Sequence, residues 1–178
     1  MKRNTISLYG EKMKLCLINH SYKYELEKLI RIFLPFEKIE FCENEEREDR
    51  TSITKLLRGE KETELSAELL IDNKSFKFSE SLLNENPDYD KECERLLAVA
   101  LYNCFVSASS YVPEWGILTG VRPAKLFSRL IAAEGKASAE EWFKNGLKVS
   151  ENKISLCRET VESEDRITSL SKPDSFSL

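Results

Sequence analysis

Apolar residues recur at every second position from Leu65 to Ile71 (Leu65, Ala67, Leu69, Ile71), and again at Phe76 and Phe78 within Lys74 to Ser79. A period of two sends alternate side chains to one face, so both runs read as half-buried strands. Asp72-Asn73 between them is a two-residue turn of the kind that closes a β-hairpin. Earlier in the chain, Met13 to Asn19 (MKLCLIN) alternates in the same way, and Lys38 to Glu43 (KIEFCE) puts Ile39 and Phe41 on one side. Thr51 to Leu57 is a less regular strand, followed by a turn at Arg58-Gly59-Glu60-Lys61, where glycine tolerates backbone angles that other residues avoid.

Helical spacing separates these strands. Ser21 to Leu34 carries Tyr22, Leu26, Leu29, Ile30 and Phe33 on one stripe, and Pro35 ends it. A second helix is predicted from Asp88 to Val112, with Asn86 as cap, Pro87 at the first position, and Asp88 and Asp90 complementing the positive end of the helix dipole. It is apolar nearly all round from Leu96 to Val106, as expected of a helix buried on several sides. A small, mainly antiparallel sheet covered by helices, an α+β domain over residues 1–112, is the implied architecture.

From Pro113 the pattern turns helical, and residues 113–170 form a separate helical segment. Pro123 opens a helix that runs to Glu134, with Leu126, Phe127, Leu130 and Ile131 inward and Gly135 past its end. Ser138 and Glu141 have the spacing of a capping box for a short helix bearing Trp142 and Phe143, stopped by Gly146. Ser150 caps a final helix whose apolar row is Ile154, Cys157 and Val161. Lys172-Pro173-Asp174 breaks it, and Ser175 to Leu178 alternates like the start of a strand, so residues 171–178 read as a truncated strand or linker.

The chain's 178 residues allow a core that buries on the order of 70% of the unfolded surface. A formal net charge of −4 argues against a general nucleic-acid binder, while leaving room for a local basic face. The start of the chain has no secretory-signal layout, and the apolar run Leu96 to Val106, interrupted by Asn103, is shorter than the roughly 20 residues that span a bilayer. A cytoplasmic protein with no membrane partner is expected. The five cysteines, Cys16, Cys42, Cys93, Cys104 and Cys157, are an odd set without short-range pairing and read as reduced, buried, small hydrophobes. Cys93 and Cys104 share a helix face but lie about 16 Å apart along it, too far for a disulfide or a common metal.

Candidate chemistry is sparse. His20, the single histidine, follows the first strand and reads as a solvent-facing loop residue without an acid to orient it. The acidic stretch Glu43 to Asp49 reads as a solvated loop, and Glu62, Glu64 and Glu68 as the wet side of a half-buried sheet. No catalytic residues and no metal ligands are assigned, so the chain by itself is not expected to be an enzyme.

One stretch is less generic. Trp115 to Leu126, WGILTGVRPAKL, packs two glycines, a Trp and a proline-started helix into a dozen residues. It resembles the segment preceding the catalytic barrel in oxygen-independent coproporphyrinogen oxidase-like radical SAM proteins of the HemZ type. Lys14 to Phe33 and Gly146 to Lys153 resemble the same family in order and place. The resemblance implies an N-terminal accessory domain of an oxidoreductase of haem biosynthesis. It also implies that the [4Fe–4S] cluster and S-adenosylmethionine belong to a barrel beyond this chain, since none of the five cysteines matches the family's three-cysteine motif.

Three readings of the signature follow. The turn from Gly120 to Pro123, with Thr119, Arg122, Lys125 and Arg129, could hold a propionate of a tetrapyrrole at a helix N-terminus. Alternatively Thr119 and Gly120 only make a turn, Trp115 packs in the core, and Arg122 pairs with one of the chain's own acids. Third, Trp115 and Arg122 anchor the chain's own barrel domain. A stand-alone interaction or RNA-contacting module using Arg122, Lys125 and Arg129 is the alternative to the whole family reading, with RNA the less expected partner.

Overall fold

The computed structural model of the chain describes residues 12–170 and divides into two compact units after Pro113. The first is an α+β unit built on a five-stranded sheet of order β2-β1-β3-β4-β5. Its strands are β1 (Lys12–Ile18), β2 (Lys38–Cys42), β3 (Thr51–Arg58), β4 (Glu62–Ile71) and β5 (Lys74–Leu83). β1 pairs in parallel with both β2 and β3, whereas the longer β3–β4 and β4–β5 ladders are antiparallel. Asp72 and Asn73, both at positive φ (50° and 56°), form the predicted hairpin turn, whose mirror-image geometry matches strand twist.

One sheet face presents Met13, Leu15, Ile39, Leu65, Ala67, Leu69 and Ile71, all buried. Two helices cover it, α1 (Lys23–Phe33) and α2 (Tyr89–Ser109). α1 buries Leu26, Leu29, Ile30 and Phe33, and Phe33 stacks on Phe105 of α2 at 5.0 Å between ring centroids. Cys104 of α2 points its thiol at the Ala67 and Phe76 carbonyls (3.4 and 3.2 Å), and burial pushes its pKa up to about 12. α2 is shorter than its sequence predicts. Asn86 Oδ1 accepts the Asp88 N–H at 2.8 Å, but Pro87 precedes the helix instead of opening it. At the other end Ser109 Oγ bonds the Phe105 carbonyl and accepts the Tyr111 N–H, and Ser110 turns to φ 59°, so the helix stops before Val112.

The opposite sheet face is not simply solvated. The chain travels from β1 to β2 through α1 on the helical face, then returns past β1 to β3 through residues 43–50. Those residues lie over the other face: Lys14 meets Glu46 and Glu48 at 2.5 and 2.8 Å, Arg47 meets Glu68 at 2.5 Å, and Lys55 pairs with Glu45. Reversing direction and face together keeps both crossovers of one hand, the hand that twisted parallel strands favour. Eight residues suffice because Thr51 and Glu40 both stand opposite Lys14 in the ladders, so the return retreats only two residues along β2 while crossing two strand spacings of roughly 5 Å each. The acidic stretch is therefore a crossover cover. It shields Ile53 and Glu68, so Glu68 is buried with Arg47 and Ser75 as partners, unlike Glu62 and Glu64, which are exposed.

Two fastenings hold this return. Cys16 and Cys42, paired in register across β1 and β2 with Cα atoms 4.4 Å apart, form a disulfide. This corrects the expectation that all five cysteines are reduced: sequence spacing shows only neighbours in the chain, and these two meet because α1 brings β2 back beside β1. Cys93, Cys104 and Cys157 remain buried thiols. The second fastening is Arg50, at φ 60°, whose guanidinium reaches the Lys12 carbonyl and, at 2.5 Å, the Glu37 carboxylate, with the Glu37 side chain only 3% exposed.

The second unit contains α3 (Pro123–Glu134), α4 (Lys136–Glu141), a π-helical turn (Trp142–Gly146) and α5 (Glu151–Leu170). Its core gathers Phe127, Ala139, Phe143, Leu147, Val149, Ile154, Cys157 and Val161, with Phe127 and Phe143 in edge-to-face contact at 4.9 Å. Of the four predicted inward residues of α3, Phe127 is fully buried and Leu126, Leu130 and Ile131 are half-buried against the cluster. No capping box forms at Ser138. Gly135, at φ 87°, turns the chain directly from α3 into α4, so Ser138 already lies within the helix. Ser150 does accept the Lys153 N–H, at 3.4 Å, as the head of α5. The predicted break at Lys172-Pro173-Asp174 and the strand after it lie outside the described residues. None of the helices among the described residues is long and apolar enough to cross a membrane.

Removing Arg50 leaves the Glu37 carboxylate buried without its guanidinium. Arg50→Ala is expected to lower unfolding free energy by about 3 kcal/mol in urea titrations, and a loss below about 1 kcal/mol would contradict the role given to this pair.

Candidate functional site

The signature divides physically into two halves. In the first, Trp115 to Leu118, Gly116 sits at φ 57° with its Cα pressed on the backbone of the π turn's exit: a Cβ there would stand 2.0 Å from the Leu147 carbonyl oxygen. Ile117 N–H donates to that same oxygen at 3.0 Å, and Ser150 N–H donates to Glu114 O at 2.8 Å, so residues 114–117 are stitched to 147–150. Trp115 packs half-buried against the unit's core, with the Lys153 ammonium 5.4 Å from its ring centroid and Lys153 paired to Glu114 at 3.1 Å. Glycine is required at 116 because only a residue without Cβ permits this approach.

The second half, Thr119 to Arg129, turns outward. Gly120 is at φ 67°, Thr119 is half-buried, and Arg122 flanks the helix that Pro123 begins. Lys125 and Arg129 fall on one stripe of α3, opposite Phe127 at 100° per residue, and Arg122 is the extended residue immediately before the helix. All three are exposed. Elsewhere in the unit, Lys136, Lys144, Lys153 and Arg158 each have a carboxylate partner. Among the described residues, none of Arg122, Lys125 and Arg129 is paired with a carboxylate. α3 carries no acid before Glu134, its last residue.

His20 is not a solvent-facing loop residue. It is half-buried at the end of β1, with Nε2 3.0 Å from Thr54 Oγ1 and 3.2 Å from the Thr54 carbonyl. Thr54 Oγ1 itself donates to the Cys16 carbonyl, so Nε2 carries the proton and Nδ1 is left to accept the Tyr22 N–H. Burial lowers its pKa against the opposing effect of the Thr54 carbonyl. The position following a strand gave no sign that the neighbouring strand β3 would supply a partner.

Among the described residues no group of three or more His, Cys, Asp and Glu side chains is placed to hold a metal ion. Cys16 and Cys42 are bonded to one another, and the remaining thiols are buried singly, so this donor set does not fit an iron–sulfur cluster. No family model matches the chain, and neither a curated protein nor a solved structure matches it.

Two outcomes test these placements. Gly116→Ala is expected to destabilise the second unit by about 2 kcal/mol or more, read by thermal or urea unfolding, because backbone on both sides must move. For His20 the sign is set by its lowered pKa: the unfolded chain takes up a proton near pH 6.5 while the folded chain does not. Stability present above that pH therefore declines as pH falls through that value towards the folded pKa. His20→Asn should show a flatter profile between pH 7 and 5.5 than the parent, and parallel profiles would rule out a titrating His20.

Proposed function

We propose that this chain is a non-catalytic accessory region of a radical SAM oxidoreductase resembling oxygen-independent coproporphyrinogen oxidase, acting in the cytoplasm. In this reading the basic face of α3 docks on an acidic patch of the catalytic barrel. One observation carries it. Within WGILTGVRPAKL, the residues through Leu118 are occupied by packing inside the unit, whereas Arg122, Lys125 and the following Arg129 have no carboxylate partner among the described residues. Two exposed cations on one face of α3 and a third at its N-cap, without carboxylate partners among the described residues, suit an external carboxylate surface, because arginine binds carboxylates through two parallel hydrogen bonds. The cluster and S-adenosylmethionine would belong to the barrel.

A porphyrinogen propionate offers the same carboxylate chemistry, and kinetics distinguish the two sources. Reading the gene past the codon for Leu178 tests the premise: an uninterrupted frame reaching three closely spaced cysteines is expected, and a stop codon there would refute the reading. In the full-length product, R122E combined with K125E and R129E should lower anaerobic porphyrin formation at least about tenfold with iron and sulfide content unchanged. A fall in kcat at constant KM assigns the face to the barrel, a rise in KM alone assigns it to the propionate, and unchanged turnover removes both.

A further inference from the structure

We propose that Cys16 and Cys42 form a redox latch that fastens residues 43–50 over the open face of the sheet and releases them on reduction. The proposal is independent of the function argued above. β2 is an edge strand, hydrogen-bonded to β1 alone, and Cys42 is its last residue, so the disulfide secures the point where the crossover leaves the sheet. The far end is tied separately, by the Lys14 N–H to Arg50 O bond at 3.0 Å and by the Arg50 guanidinium. Between these ends the segment is held by the ion pairs of Glu45, Glu46, Arg47 and Glu48. Pairs with water-exposed partners contribute little. Breaking the disulfide therefore loosens one end of the cover and leaves the other attached.

What lies beneath fits a cover that opens. Ile53 and Cys16 are buried on this face, as is Thr51, whose hydroxyl has no hydrogen-bond partner. Opening hydrates that hydroxyl and exposes the apolar strip. The two sulfurs also differ in access, since Cys42 is half-buried and Cys16 fully buried. An incoming thiolate attacks Cys42 Sγ, the Cys16 sulfur leaves as thiolate and takes a proton, and a mixed disulfide stands on Cys42. The second thiol of a dithiol reductant then displaces the Cys42 sulfur. Two electrons and two protons pass to the pair, and the dithiol becomes its own disulfide. A small-molecule disulfide runs the exchange in reverse. Cys93, Cys104 and Cys157 are buried, with pKa values raised mainly by that burial, so they do not compete as resolving thiols.

The test uses the full chain. After treatment with oxidised glutathione, alkylation under denaturing conditions should label three cysteines, and five after dithiothreitol. Reduction should speed amide exchange across residues 43–50 and tryptic cleavage at Arg47 on the order of tenfold, with β4 amides unchanged, and reoxidation should restore the slow rates. The double variant C16S/C42S should behave as the reduced protein whatever the reductant. Five labelled cysteines after oxidation, or exchange in 43–50 indifferent to reduction, would overturn the latch. Exchange that rises equally in β4 would also overturn it, because the bond would then be holding up the whole unit.

Discussion

Parallel neighbours in a sheet cannot be joined by hairpins, and the first unit is organised by how its chain makes two parallel connections around β1. The outward one uses α1, whose apolar stripe of Leu26, Leu29, Ile30 and Phe33 also supplies the helical layer. The return has no helix to spend, only residues 43–50, and must lie on the face that α1 leaves open. A polar segment crossing a sheet face needs partners for its charges and protection for what it covers. Lys14, Lys55 and Glu68 answer the first need and Ile53 creates the second. The disulfide and the Glu37–Arg50 pair follow from the same requirement, since a short cover that carries no ladder of its own must be fixed at both ends.

Local order was legible in the sequence and long-range order was not. Period-two alternation located four of the five strands, Thr51 to Leu57 being the less regular one, and the Asp72-Asn73 turn fixed the one antiparallel register that two residues alone can fix. Pro123, Gly135 and Ser150 marked helix ends within the range where caps and backbone freedom decide. Apart from the ends of α2 and the absent capping box at Ser138, the misreadings share a cause. Glu43 to Asp49, Cys16 with Cys42, His20 with Thr54, and Glu68 with Arg47 all depend on strand order, and nothing in a linear pattern says that β2 and β3 flank β1. A run of acids is a solvated loop unless a sheet face carrying lysines lies under it, and two cysteines 26 residues apart are unrelated unless a crossover returns one beside the other.

The signature illustrates how a dozen residues can look functional as a block and be divided in space. Gly116, the most constrained of them, is explained by its contact with Leu147 and Lys148, and Trp115 by its place against the core and Lys153. Neither needs a ligand to account for it. Arg122 and Lys125, with Arg129 a turn later, are the part that internal packing leaves over. The reading that placed Trp115 against the core anticipated the first half, but nothing in the linear pattern showed that Gly116 meets the backbone of Leu147 and Lys148.

Net charge was a poor guide to which surface meets a partner, because pairing matters more than number. The first unit is rich in both signs, yet Lys14, Arg47, Arg50 and Lys55 are all committed to its own carboxylates, with the hydrogen bonds that Lys14 donates to Glu46 and then Glu48 holding its pKa well above the usual value. Their charges are largely cancelled at short range before salt screening acts on the remainder. On α3 the nearest acid in the helix is Glu134, at the far end from Arg122, so the positive potential there is reinforced by the dipole of the helix it opens. An acidic protein overall thus carries three exposed cations together at the start of α3, and the local potential there is set by this surplus and not by the sum of −4.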